Sequence, residues 1–150
     1  MRRLLLAVVV LCSFASSQTK RPFAFEDMMQ LRRISDPQIS PDGKWVVFSA
    51  QDVNLNANTK TNHLWIVPLA GGDAKPLTSG ASGEDRGRFS PDGKEVAFLS
   101  ARDGGTQVWV QDFDGANGQL SGEAKRITNI STEADGQLWS GDGKYIVFAS

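Results

Sequence analysis

The chain is poor in the residues that carry most side-chain chemistry: one cysteine, one histidine and one tyrosine among 150 residues. The cysteine, Cys12, sits in the apolar leader, so beyond that leader neither disulfide nor thiol chemistry is available. A lone histidine, His63, cannot supply clustered imidazoles for a metal centre. No apolar run reaches the roughly 20 residues that a membrane-spanning helix needs; residues 4–11 fall well short. Charge of one sign is lacking too, with 16 basic against 17 acidic residues. That balance leaves no basic stripe for nucleic acid and no acidic tail for a charged partner. The length allows one domain of ordinary size.

What is present is a repeat. Ser40-Pro41-Asp42-Gly43-Lys44, Ser90-Pro91-Asp92-Gly93-Lys94 and Ser140-Gly141-Asp142-Gly143-Lys144 each lead into an apolar run. Those runs carry Phe48, Phe98 and Phe148, so the period is 50 residues without slippage. A fixed period of this size marks stacked supersecondary units. Proline at the second turn position, aspartate at the third and a glycine free to take positive φ predict a type I turn with a bulge. The consecutive Val46-Val47-Phe48 predicts a strand covered on both faces.

The chain divides into three stretches. Arg2 and Arg3, the apolar residues 4–11 and the small Ala15-Ser16-Ser17 predict a signal peptide over residues 1–17, hence export to the periplasm or medium. Cys12 follows Leu11 rather than a small residue, which argues against lipoprotein cleavage there. Residues 18–36 read as a linker and one short helix over 25–34, acidic early and arginine-rich late, ended by Asp36-Pro37. Residues 37–150 read as an incomplete all-β propeller, with units starting near 37, 87 and 137. Two four-stranded antiparallel blades and the start of a third are expected. The first blade would use Gln38-Ile39, residues 45–50, residues 63–67 and an edge strand around Lys75-Pro76, where proline cannot donate to a ladder. The second would use Arg88-Phe89, residues 95–100, residues 107–110 and residues 124–128. Polar loops are expected over 51–62 and 112–122. Propellers close with at least about four blades, so the chain reads as a piece of a longer protein.

The leader Met28-Met29-Gln30-Leu31-Arg32-Arg33-Ile34-Ser35-Asp36-Pro37, followed by the first turn, resembles the start of prolyl oligopeptidase family serine peptidases. The nearest branch is the exported acylaminoacyl-peptidase and dipeptidyl-peptidase-like enzymes. Trp65-Ile66-Val67-Pro68-Leu69 and Lys75-Pro76-Leu77-Thr78 resemble the same family's blades, and Gly141 departs from its proline. The resemblance implies a propeller that gates peptide access to a C-terminal α/β-hydrolase domain, its partner, with peptides as substrates. That domain's Gly-x-Ser-x-Gly elbow is absent here; Gly80-Ala81-Ser82-Gly83 lacks the spacing.

No catalytic, cofactor-binding or metal-binding residue is assigned to this chain, and no cofactor is expected. His63 is a polar strand-end residue before it is a general base. Asp112, Asp114, Asn117 and Glu123 partly match a calcium loop, but Ala116 and Asn117 break it, which leaves a solvated hairpin loop. The tryptophans 45, 65, 109 and 139 read as core. Asp42, Asp92 and Asp142 read as turn formers. The paired glycines 71–72 and 104–105 fall in different turns of their units, which excludes kelch repeats. The alternative function is a TolB-like periplasmic propeller acting as a protein-interaction module. A propeller joined to a metal-dependent amidohydrolase is a third.

Overall fold

Each 50-residue unit folds into one antiparallel sheet, and the sheets stack face to face. A computed structural model describes residues 21–150; the signal peptide expected over 1–17, and Cys12 with it, lie outside them. Among the described residues no helix is long and apolar enough to cross a membrane. The first sheet runs β1 (Arg33–Ile39), β2 (Trp45–Asn54), β3 (Thr59–Pro68) and β4 (Lys75–Pro76), in that spatial order. The second runs β5 (Asp85–Phe89), β6 (Glu95–Ser100), β7 (Gln107–Asp114) and β8 (Gln119–Arg126). The third pairs β9 (Asp135–Trp139) with β10 (Ile146–Ala149). The described residues are therefore all-β apart from one short helix, with two blades and the beginning of another.

The helix α1 spans Phe25–Gln30, not 25–34. Its N-terminal acids are in place, and the Ala24 N–H donates to the Asp27 carboxylate at 2.8 Å. The arginines expected in its last turn lie beyond it. Ile34 and Ser35 pair instead with Ala50 and Ser49, because an extended inner strand gains ladder bonds that a six-residue helix cannot match. Asp36-Pro37 then ends no helix but forms a bulge within β1. Arg32 lies 4.1 Å over the Trp65 ring and pairs with Asp52 at 2.9 Å.

The turn works through its serine. Ser40 Oγ accepts from Trp45 N at 2.9 Å and donates to Asp42 Oδ1 at 2.6 Å, while Lys44 N donates to the same carboxylate oxygen at 3.1 Å. Gly43 closes the turn at φ 69, a left-handed conformation that costs glycine nothing. Ser90 and Ser140 repeat the arrangement, and Gly141 leaves it intact.

Packing between sheets supplies the core. Val47, Leu64 and Ile66 of the first blade meet Val96, Phe98, Trp109 and Phe113 of the second. Ala97, Leu99, Val108 and Val110 on the other face of the second blade meet Ala134, Trp139, Ile146 and Phe148. Phe98 is fully buried, and burying such a side chain contributes about 1.5–3 kcal/mol. Gly87 permits the approach: a Cβ there would stand 3.0 Å from Val47 Cγ2 and 3.3 Å from Leu64 Cδ1. The outer strand is cut short where Pro76 occupies the edge, as proline's missing donor requires. Thr78 and Thr128, 50 residues apart, then each accept from the neighbouring strand, from Leu64 N at 3.0 Å and Val108 N at 2.9 Å.

The polar stretches expected as loops are mostly strand. β2 and β3 stay paired from Trp45↔Pro68 out to Asn54↔Thr59. β7 and β8 likewise run into the stretch 112–122, reaching Asp114↔Gln119. At the rim, Trp45 of blade one lies under the second hairpin, its Nε1 donating to Gly115 O at 2.8 Å. Lys75 Nζ reaches Asn117 O at 2.7 Å. A Cβ at Gly118 would fall 2.5 Å from the Trp45 ring, at φ +60. Gly118→Ala is therefore expected to destabilise the chain by about 2–4 kcal/mol through overpacking and left-handed strain, read as a lower denaturant midpoint, whereas Gly104→Ala, which meets nothing within 4 Å, loses only the strain part.

Candidate functional site

The inner strands β1, β5 and β9 carry one conformation in common. Asp36 and Arg86 stand at φ 55 and Gly136 at φ 60, again 50 residues apart. The ladder register slips beside each of the first two, so the repeat builds a bulge into the inner strand, and bulges re-aim side chains. Aspartate and glycine accept the left-handed region readily, whereas arginine there costs about 1–2 kcal/mol. Arg86 is held by its neighbours. Its N–H is shared between Ser49 Oγ at 3.0 Å and Asp85 Oδ1 at 2.8 Å, and its carbonyl accepts from Gln137 Nε2.

Two inter-blade ion pairs join these strands, and they differ in kind. Arg88 grips Asp36 with both terminal nitrogens, at 2.6 and 3.0 Å, and Nη1 also donates to Gly87 O. Both side chains are largely covered, 15% and 27% exposed. Arg86 meets Asp135 through one nitrogen at 2.9 Å, with the two side chains 43% and 57% exposed.

A cavity of about 650 Å³ opens where the three sheets converge, at the strand ends away from the Ser-x-Asp-Gly turns. Gln51, Thr59–Asn62 of β3, residues 81–84 with Asp85 and Arg86 of β5, Leu99–Ala101, Thr106 and residues 133–135 line it. Its floor is a hydrogen-bond chain. Asp85 accepts from Asn62 Nδ2 at 2.9 Å, and Asn62 Oδ1 accepts from Gln51 Nε2 at 3.2 Å. Asp85 is acceptor-only, which fixes both amides and leaves Gln51 Oε1 without a donor.

Beside it, Glu84 is 1% exposed and holds three partners. Arg102 Nη2 donates to Oε1 at 3.0 Å, His63 Nδ1 faces Oε2 at 3.3 Å, and Gly80 N donates to Oε2 at 3.3 Å. Arg102 also lies over the rings of Phe98 and Trp109, at 5.3 and 4.8 Å. His63 is thus no strand-end residue. It sits within β3 opposite Ala50, and its imidazole Nδ1 lies 3.3 Å from the buried Glu84 carboxylate.

The other residues singled out in the sequence are dispersed. Asp114 turns its carboxylate onto its own hairpin, accepting from Asn117 Nδ2 at 2.8 Å and Ala116 N at 3.0 Å. The Asn117 amide holds its carboxyl below the usual carboxylate range. Asp112 lies back along the ladder opposite Ser121, and among the described residues no three His, Cys, Asp or Glu side chains gather as a metal group. Trp45 and Trp109 pack into the first inter-blade core and Trp139 into the second; Trp65 lies under Arg32. Asp42, Asp92 and Asp142 sit in their turns, where hydrogen bonds from Ser40, Ser90 and Ser140, then from the following lysine N–H, hold each carboxyl below its ordinary range.

The profile of the TolB beta propeller domain family matches residues 7–150. The chain is similar to the uncharacterized peptidase YuxL of Bacillus subtilis, 31% identical over 129 residues, which cover 85% of this chain and 19% of that relative. Among solved structures it is similar to the acylaminoacyl peptidase of Pyrococcus horikoshii, with TM-score 0.63, 25% identity, and coverage of 81% of this chain and 17% of that one. It is also similar to TolB from Acinetobacter baumannii, with TM-score 0.61, 28% identity, and coverage of 75% and 25%. The chain thus spans about a fifth of the curated relative.

Two outcomes are expected. Glu84→Ala leaves the Arg102 guanidinium without its buried counter-charge and His63 Nδ1 without its partner, and should cost about 3 kcal/mol in equilibrium unfolding, with Glu84→Gln losing less because it keeps hydrogen-bonding capacity. The turn aspartates, depressed in the folded state, stabilise the fold above the ordinary carboxylate pKa near 4. That contribution is lost as pH falls through their lower folded values. The denaturant midpoint should decline below about pH 4, and less steeply in the triple variant Asp42→Asn, Asp92→Asn, Asp142→Asn.

Proposed function

The chain belongs to the TolB β-propeller domain family, and from that premise we propose that it is the noncatalytic propeller segment of an exported serine peptidase, gating the access of peptides to a C-terminal α/β-hydrolase domain. The observation that carries this reading is the match to a peptidase over 85% of the chain that uses only 19% of the relative's length. The chemistry of peptide hydrolysis would reside in the remainder. Among the described residues no serine hydroxyl is hydrogen-bonded to the His63 ring, whose Nδ1 faces Glu84.

What blades can do for such a reaction is steric and dielectric. A stack of sheets around a polar hub admits a thin, extended chain and turns away a folded one. It also keeps bulk water off the reacting groups, which strengthens electrostatic stabilisation there. The inter-blade contacts, Arg88 on Asp36 above all, set how far neighbouring sheets can part. The leader with Arg2 and Arg3 supports export.

A second reading, an envelope interaction module without chemistry, is favoured by the likeness to TolB from Acinetobacter baumannii. A fluorophosphonate probe separates the two. The product of the complete reading frame should take the label while the 150-residue chain does not; an unlabelled complete product would end the peptidase reading and leave the module. If labelling holds, Asp36→Ala in the complete product should raise cleavage of long peptides relative to short ones, and an unchanged length preference would remove the gating role.

A further inference from the structure

We propose that Arg86 is an anchor for a ligand carboxylate in the cavity at the convergence of the three sheets, with Asp135 holding the place of that carboxylate when the site is free. The proposal rests on the peptide-gating reading for the choice of a peptide as ligand, and on the cavity alone for the carboxylate.

Three observations carry it. The first is a departure from the repeat: the bulge position takes aspartate at 36 and glycine at 136, both at ease with positive φ, but arginine at 86. A residue kept in a disfavoured conformation by surrounding hydrogen bonds points to a role for its side chain. The second is the contrast between the two inner-strand ion pairs. Arg88 is bidentate, covered and complete on Asp36. Arg86 has a single 2.9 Å contact with Asp135, both partners open to solvent. A guanidinium so placed keeps most of its donors free, in a planar fork that matches a carboxylate.

The third is the charge that the cavity presents. Asp85 is occupied by Asn62 and by the Arg86 N–H, and Glu84 by Arg102, His63 and Gly80. Those bonds leave Asp85 charged, so beside the Glu84–Arg102 pair the lining carries Lys60 and Arg86 against Asp85, Glu133 and Asp135. A ligand carboxylate is therefore not drawn in by the wall as a whole and binds only by taking the place of Asp135 on Arg86. The Asp135 contact itself shows that a carboxylate fits there, and one loose, exposed pair is a weak competitor.

The test titrates the full 150-residue chain with N-acetyl-trialanine, with its C-terminal amide and with acetate, followed by chemical-shift changes of residues lining the cavity. The free acid should bind at least about tenfold more tightly than the amide, as charge-assisted bidentate bonding predicts. Arg86→Asn, which accepts positive φ, should abolish that preference without lowering the melting temperature. Asp135→Asn should tighten the acid. Equal binding of acid and amide, an acid preference that survives Arg86→Asn, or weaker acid binding in Asp135→Asn would each overturn the proposal. So would a melting temperature lowered by Arg86→Asn, which would mark the side chain as a structural tie. Acetate matching the peptide acid would keep the carboxylate and assign the site to small organic acids. Failure here leaves fluorophosphonate labelling of the complete product untouched, and failure of that labelling leaves the acid-to-amide comparison standing.

Discussion

Every blade depends on being covered on both faces. A four-stranded sheet with apolar residues on successive positions cannot hide them alone. Val47 points to one side of its sheet and Phe48 to the other, as strand geometry dictates. The second blade shows the requirement met: Val96 and Phe98 are buried against the first, Ala97 and Leu99 against the third. The third, two strands wide here, has Leu138, Tyr145 and Val147 largely in solvent. The turns, the bulges and the rim contacts all serve to bring the sheets close enough for this burial, and Gly87 marks how close that is.

The same requirement explains where polarity concentrates. Apolar contact fills the middle of each interface, so charged groups are left to the inner strands and the strand ends. There they join blades through Arg88 with Asp36, through Glu84 with His63 and Arg102, and through Lys75 with Asn117. A buried ion pair such as Arg102 on Glu84 contributes little net stability, but losing one partner is costly. Such contacts act as alignment devices between sheets whose apolar faces alone would tolerate sliding.

Much of this was legible in the residues. The 50-residue period located all three turns, the strands that follow them and the edge proline, because turn chemistry and dense apolar runs are local signals. The hairpin ribbons over 51–62 and 112–122 were not legible as strands: Phe113 and Leu120 reach the core there, but the residues around them, such as Gln51, Asp52, Asn62 and Asp112, are polar and give no alternation to read. Of β1, Gln38-Ile39 reads as strand but Arg33 and Ile34 read as the end of a helix, because the bulge at Asp36 breaks the period between them. The cavity was harder still. His63 and Glu84 lie 21 residues apart with no motif between them, and only the fold joins them. One signal was available and unread, the sequence of aspartate, arginine and glycine at 36, 86 and 136.

The rim contact of Trp45 has a consequence for how the chain matures on the ribosome. Its indole finds its acceptor, the Gly115 carbonyl, 70 residues downstream, and Lys75 finds Asn117 42 residues on. A newly emerged first sheet therefore has a large aromatic group with nowhere to settle until most of the next sheet has been synthesised. Synthesis from the N-terminus turns that dependence into an order of events, each sheet completing the one before it. A nascent chain paused between the two would display Trp45 to chaperones.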